Sequence, residues 1–187
     1  MDPFSRYMQT LYDVTTATKV TDATGADGVL TVTLEAMGSA MRRAHAAGNK
    51  IMFVGNGGSA SICSHMAIDY SKNGGIRTTV FNDGAALTCI SNDLGYDRVF
   101  AEQVLSHAHP GDILVAISSS GRSPNILNAV AAGRERDCVV YTFSGFDADN
   151  PLRGLGDLNL HISSHEYGFV EIGHLAVLHA VLDFEMG

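Results

Sequence analysis

In the segment 51–69, "IMFVGNGGSASICSHMAID", a histidine and an aspartate stand four positions apart. On a helix His65 and Asp69 share one face and can bring a ring nitrogen and a carboxylate oxygen to a common point. Such a pair suits a zinc ion, and it equally suits an ordinary, partly buried His–Asp hydrogen bond. A second kind of chemistry precedes it. Gly55, Asn56, Gly57, Gly58 and Ser59 follow an apolar run and open a helical pattern. Glycines tolerate positive φ and let backbone N–H groups approach an anion, and the start of the following helix adds a favourable dipole. A phosphate fits there; so does a tight strand-to-helix turn with Ser59 as its N-cap. The segment is neither a P-loop nor a dinucleotide fingerprint, because GxxxxGK[ST] is absent and GNGGSA lacks the third glycine of GxGxxG.

A related turn occurs further along. After "DILVAI" the chain runs Ser118, Ser119, Ser120, Gly121, Arg122, Ser123, Pro124 and Asn125, with Pro124 suited to the first turn of a helix. The hydroxyls of Ser118, Ser119, Ser120 and Ser123, with free helix-start N–H groups, can hold a phosphate without strong positive charge beside the reacting atoms. A serine-rich turn is usually only a turn, but two such turns after two strands point to a phosphosugar-type ligand.

These turns need a scaffold to bring them together. Apolar, partly β-branched runs at 51–54, 78–81, 113–117 and 138–143, with a weaker fifth from Leu158, predict strands. Between them "ALTCISNDLG", "RVFAEQVLSHA" and "SPNILNAVAAGRER" have helical pattern, and the chain closes with a long, mostly apolar helix, "GFVEIGHLAVLHAVLDFEMG". Leu30, Leu34, Met37, Met41 and Ala44 predict an earlier amphipathic helix that stops near Gly48. Strands alternating with helices imply an α/β fold with parallel pairing, right-handed crossovers and helices on both faces. In such sheets ligands bind beyond the carboxyl ends of the strands, where both turns fall.

Composition sets limits. A chain of 187 residues with 45% hydrophobic content is expected to form one domain, residues 1–187. With 12 basic against 20 acidic residues and a net charge of -8, no basic cluster suits a nucleic-acid backbone. Cys63, Cys89 and Cys138 form no CxxC pair, which fits a reducing cytoplasm. No apolar stretch of about 18 residues is apparent, and "MDPFSRYMQT" lacks the regions of a signal peptide. The expectation is a soluble, cytoplasmic protein with neither nucleic-acid nor membrane partner.

The ordered set GNGGSA, "LTCISNDLGYDRVFAEQV" and "PGDILVAISSSGRSPNIL" resembles the sugar isomerase (SIS) domain family, in particular its phosphoheptose isomerase branch, over about residues 27–187. The resemblance implies a five-stranded parallel sheet in a three-layer, flavodoxin-like α/β/α sandwich. It also implies a homotetramer with sites near subunit interfaces. The N-terminal segment, about 1–48, is read as helical and used in oligomer packing, with Tyr7, Leu11 and Tyr12 as the apolar contacts of its first helix, residues 1–20. The implied reaction converts sedoheptulose 7-phosphate to D-glycero-D-manno-heptose 7-phosphate. By position, Asn56, Gly57, Gly58, Ser59, Asn92 and Asp93 would touch substrate, and Ser118, Ser119, Ser120 and Ser123 would hold its phosphate.

The family's HxxxE pattern falls on His65 and Asp69, and its QExHxxxxH pattern on "EIGHLAVLH", which puts Glu171 at the glutamine and His179 at the terminal histidine. The resemblance implies acid–base roles for the acidic residue and the terminal histidine, and a zinc ion on His65, Asp69, Glu171 and His179. Asp69 for Glu and Glu171 for Gln are departures that keep an oxygen ligand. Glu171 and His179 lie eight residues apart, about 12 Å of helix rise, so one ion reaches both only from between them or across subunits. Asp is one methylene shorter than Glu, and the base is Asp69 or Glu171. Asn73 stands where the family often has arginine, with Lys72 or Arg77 as stand-ins, and "SSHEYGFVE" lacks a basic residue before the helix. His174 is expected to pack or hydrogen-bond; His107, His109 and His165 are expected in loops or at the surface. The alternatives are a non-catalytic relative like the DnaA-initiator-associating protein, an isomerase for another sugar phosphate, and a sugar-phosphate sensor. The first of these lacks the acid and the terminal histidine that this chain keeps at 69 and 179.

Overall fold

The computed structural model describes residues 1–186. In chain order it runs α1 (Pro3–Thr16), β1 (Lys19–Asp22), β2 (Asp27–Gly28), α2 (Leu30–Ala46), β3 (Ile51–Gly55), α3 (Gly58–Lys72) and β4 (Thr78–Val80). It continues through α4 (Gly84–Leu94), α5 (Ala101–His107), β5 (Ile113–Ser118), α6 (Pro124–Glu135), β6 (Val139–Gly145), β7 (Leu158–Ile162) and α7 (Tyr167–Met186). All seven strands form one sheet in the order β2-β1-β7-β6-β5-β3-β4.

The five strands expected from the apolar runs are all present and pair in parallel. The sheet is nevertheless mixed, because β1 runs antiparallel to β7 and to β2. This corrects the expectation of a purely parallel five-stranded sheet and of an all-helical N-terminal arm. The hairpin is made locally: Asp22 Oδ1 accepts from the Thr24 N–H at 2.8 Å and the Ala26 N–H at 3.0 Å, and Gly25 takes φ +83°. It left little trace in the sequence because Val20 is its one buried residue.

The parallel strands are buried on both faces, so successive residues feed two separate cores. Ile51, Phe53, Ile113, Val115, Ile117 and Phe143 pack against α2, α3 and α7. Met52, Val54, Leu114, Ala116 and Val140 pack against α5 and α6 on the other side. The result is the expected α/β/α layering. Met37, Met41 and Leu178 are fully enclosed in the first core, where truncation to alanine costs about 2–5 kcal/mol.

One described helix, α7, is long and apolar enough to cross a membrane by length and composition, with a window mean hydropathy of 1.2. The sequence reading had found no such stretch. The reason for its apolarity lies in the packing: Val170, Val177, Leu178, Val181 and Leu182 are buried, while Glu185 bonds Ser39 Oγ at 2.7 Å and Arg42 Nε at 3.1 Å on α2. This is the pattern of a core helix.

Candidate active site

Strands β3 and β5 are neighbours, and their last paired residues are Gly55 and Ile117. Each then turns into a helix whose start carries no side-chain cap. At the first turn the N-cap is Gly57, at φ +54°, and Ser59 is already helical and buried. Of the two alternatives read from the sequence, the one with Ser59 as N-cap does not occur, because the sharp entry needs a positive φ that a serine disfavours. A Cβ on Gly58 would run into the Glu171 carboxylate of α7, so glycine there is what lets α7 close over the turn.

At the second turn Ser118 and Ser119 are buried, and Ser118 Oγ lies 3.3 Å from Ser123 Oγ. Ser119 Oγ is enclosed with no hydrogen-bond partner. A buried, unmatched hydroxyl costs about 1–3 kcal/mol, and this one is free to donate to an external acceptor. The two turns and the start of α7 enclose a cavity of about 250 Å³ lined by Asn56, Gly57, Gly58, Ser59, Ile117, Ser118, Ser119, Ser120, Ser123, Tyr167 and Glu171. No lysine or arginine lines it. Arg122 turns instead to Asp149, at 3.1 Å, and Asp147, at 3.6 Å. An anion here would be held by uncharged hydroxyls and helix-start N–H groups, with Glu171 the one ionisable acid beside it.

A second group of donors lies further along α3 and α7. One donor atom each from His65, Asp69 and His179 falls within 4.8 Å of the others. His65 Nε2 is 3.4 Å from Asp69 Oδ2 and 3.1 Å from His179 Nε2, and His179 Nδ1 is 3.9 Å from the same carboxylate oxygen. Ligands of a tetrahedral zinc at ~2.1 Å sit about 3.4 Å from one another; with one donor atom per residue within 4.8 Å, two imidazoles and a carboxylate are a donor set that suits that ion and leaves one position open. Glu171 is not in the cluster. Two turns up α7, it stays with the glycines, so a single chain assembles three of the four expected ligands.

Beneath the serine turn sits a buried polar pedestal. His174 Nε2 lies 3.0 Å from the Ser144 carbonyl oxygen, and Ser144 Oγ lies 3.2 Å from His161 Nδ1. Asn150 Nδ2 donates to the Gly145 carbonyl at 3.3 Å, and the Gly145 N–H donates to the Ser119 carbonyl at 2.9 Å. Burial pushes both histidines down to about 4. Both are thus neutral in the fold where the unfolded chain, near 6.5, takes protons. Stability is fully present above about pH 6.5 and is lost as the pH falls towards 4, because the unfolded chain then takes up protons that the buried histidines refuse. Urea midpoints between pH 7 and 4.5 should show this loss, with a shallower slope in His174→Gln.

Residues 29–145 match the model of the SIS domain. A phosphoheptose isomerase of Citrifermentans bemidjiense is 32% identical over 166 residues, 86% of this chain and 86% of that protein. One from Bradyrhizobium sp. (strain ORS 278) is 38% identical over 166 residues, 84% of this chain and 82% of that protein. This chain belongs to the SIS domain family. Among solved structures, the phosphoheptose isomerase GmhA of Neisseria gonorrhoeae superposes with a TM-score of 0.76 at 32% identity, covering 83% of this chain and 85% of that one.

Within this SIS domain the residues singled out from the sequence separate into three groups. Asn56, Gly57, Gly58, Ser59, Ser118, Ser119, Ser120, Ser123 and Glu171 meet at the cavity. His65, Asp69 and His179 meet at the cluster. Asn92 and Asp93 do neither: they are exposed at the end of α4, bonded to each other at 2.8 Å, and one chain does not carry them to the cavity wall. Arg77 is committed elsewhere, donating to the carbonyls of Gly48, at 2.5 Å, and His45, at 3.4 Å, so it does not stand in for the arginine missing at Asn73. His174 is hydrogen-bonded as expected, and His107, His109 and His165 are exposed. Tyr167, Asn125 and Tyr96 were overlooked. Tyr167 opens α7 at the cavity mouth, while Asn125 and Tyr96 bind the side chain of Asn56.

Proposed function

We propose that this SIS domain is a phosphoheptose isomerase, interconverting sedoheptulose 7-phosphate and D-glycero-D-manno-heptose 7-phosphate through an enediol. The observation that carries the reading is the placement of a neutral anion cradle at one end of α3 and α7 and an acid–imidazole cluster further down the same two helices. His65 lies seven residues beyond Gly58, and His179 eight beyond Glu171, or about 10–12 Å of helix rise. In an open-chain heptulose phosphate, single bonds of about 1.5 Å put the C1–C2 pair on the order of 9 Å from phosphorus. The two separations are comparable, which favours a long sugar phosphate over a short one.

In this reading the uncharged donors of the 118–123 turn anchor the phosphate and hold the open chain along the groove. A carboxylate removes the carbon-bound proton, and an imidazole moves the proton between the neighbouring oxygens. Asp69 Oδ2 faces both histidines, which leaves Oδ1 to take the carbon-bound proton; Glu171 is the other candidate base. His179 serves the oxygens. A zinc ion, held by His65, Asp69 and His179, would supply Lewis-acid polarisation of the carbonyl.

The same reading extends to assembly. Helix α1 buries none of its residues; of the contacts expected from the sequence Tyr12 is exposed, while Tyr7 stacks on Phe169 of the same chain, and Phe4, Met8 and Tyr12 make an exposed face suited to a homo-oligomer, here taken as a tetramer. The unpaired thiols of Cys63, Cys89 and Cys138 are in keeping with a cytoplasmic setting.

A substrate panel tests the assignment. The metal-stripped protein, with and without added zinc, is given five-, six- and seven-carbon ketose phosphates, and aldose phosphate is followed by NMR. The highest kcat/KM is expected for sedoheptulose 7-phosphate with zinc; a preference for a shorter ketose phosphate would overturn the substrate.

A further inference from the structure

Beyond Gly55 and Ile117 the two anion-binding turns diverge, and among the described residues no backbone hydrogen bond joins 56–59 to 118–123. They are joined by side chains instead. Asn56 Nδ2 donates to Asn125 Oδ1 at 2.9 Å, and Asn125 Nδ2 donates to Asn56 Oδ1 at 2.8 Å. Two antiparallel amide bonds close a ring that fixes both side-chain planes at once. Tyr96, from the 3-10 turn Tyr96–Arg98 after α4, adds its hydroxyl to Asn56 Oδ1 at 3.0 Å. Asn125 is 2% exposed; it lines neither the cavity nor the donor cluster itself and reaches the cavity through Asn56.

The hydrogen-bond inventory of Asn56 then follows. Its carbonyl oxygen has two lone pairs, and two donors fill them; its NH₂ has two hydrogens, and one is spent on Asn125. Asn56 is left with a single N–H and no acceptor. Freed of Asn125, the same amide could turn over and offer an oxygen to a phosphate or hydroxyl, which would repel an oxyanion.

We propose that Asn125 is a positioning residue for the proposed isomerase site: it locks the distance between the glycine turn and the serine turn and fixes Asn56 as a pure donor. The inference rests on the cavity being an anion site, and it holds whether or not the substrate is a heptulose. Tyr96 makes a lesser contribution from the partly exposed side.

The test uses inorganic phosphate as probe alongside turnover of sedoheptulose 7-phosphate. Asn125→Ala is expected to weaken phosphate binding about tenfold, within the range of one hydrogen bond to a charged group. It should raise KM by a similar factor and change kcat less than threefold, at temperatures where the variant is fully folded. Asn125→Asp keeps the volume but cannot donate to Asn56 Oδ1, and should weaken phosphate binding at least as much at neutral pH. In the double variant with Asn56→Ala the losses should not add, because the pair acts as one unit. Loss of phosphate affinity in both Asn125 variants without any heptulose turnover in the parent would retire the substrate assignment and leave the clamp standing. Phosphate affinity equal to the parent's in both variants, additive losses in the double variant, or a fall in kcat with KM unchanged would overturn the clamp.

Discussion

Asp69→Asn is expected to lower kcat/KM by about 10²–10⁴-fold, the usual worth of a positioned proton-transfer group, with the melting temperature nearly unchanged. The substitution keeps shape and one oxygen towards His65 and His179, from which Asp69 Oδ2 is 3.4 Å and 3.9 Å distant. What it removes is a carboxylate that can take a proton and bind an ion with full negative charge. Zinc content should therefore fall with the rate, as measured by elemental analysis of the purified variant. Glu171→Gln is the informative partner. Glu171 lies near the start of α7, against Gly58, and the glutamine should retain most of the rate if Asp69 is the base. The reverse ranking, a dead Glu171→Gln and an active Asp69→Asn, would move the base to Glu171.

Ser119→Ala is expected to raise KM for the sugar phosphate about 10–100-fold, the range for losing a hydrogen bond of about 1.5–3 kcal/mol to a charged group. Its effect on stability should have the opposite sign. In the free protein Ser119 Oγ is buried without a partner, so deleting it relieves a desolvation cost and leaves the backbone of the turn in place. The unliganded variant should melt at or above the parent temperature. A serine kept for packing alone would give a lower melting temperature with KM unchanged, and calorimetry with steady-state rates separates the two.

The parallel core was legible because its strands are buried on both faces: Ile51 to Val54 and Ile113 to Ile117 read as unbroken apolar runs. The edge hairpin was not, since strands of four and two residues with one buried side chain carry almost no pattern. The two strand-to-helix turns were visible from their glycines and serines, but the helix start at Gly57 was not, because composition does not reveal φ. His65 and Asp69 could be paired by spacing alone. Their third partner, His179, is 114 residues away along the chain, and only the resemblance to a family supplied it. Asn125 escaped because an asparagine after proline looks like turn chemistry; its role depends on the neighbouring strand delivering Asn56 to it. Helix α7 was legible as a long, mostly apolar helix, and its apolarity follows from packing against α1, α2, α3 and the sheet.

The most direct measurement is the proton NMR spectrum of the zinc-loaded protein incubated with sedoheptulose 7-phosphate in deuterium oxide. An enediol formed by the carboxylate at Asp69 or Glu171 predicts heptose 7-phosphate that carries solvent deuterium at C2, formed far more slowly by Asp69→Asn. Sedoheptulose 7-phosphate left unchanged and undeuterated by the folded, zinc-loaded protein would contradict the assignment of this site to aldose–ketose isomerisation.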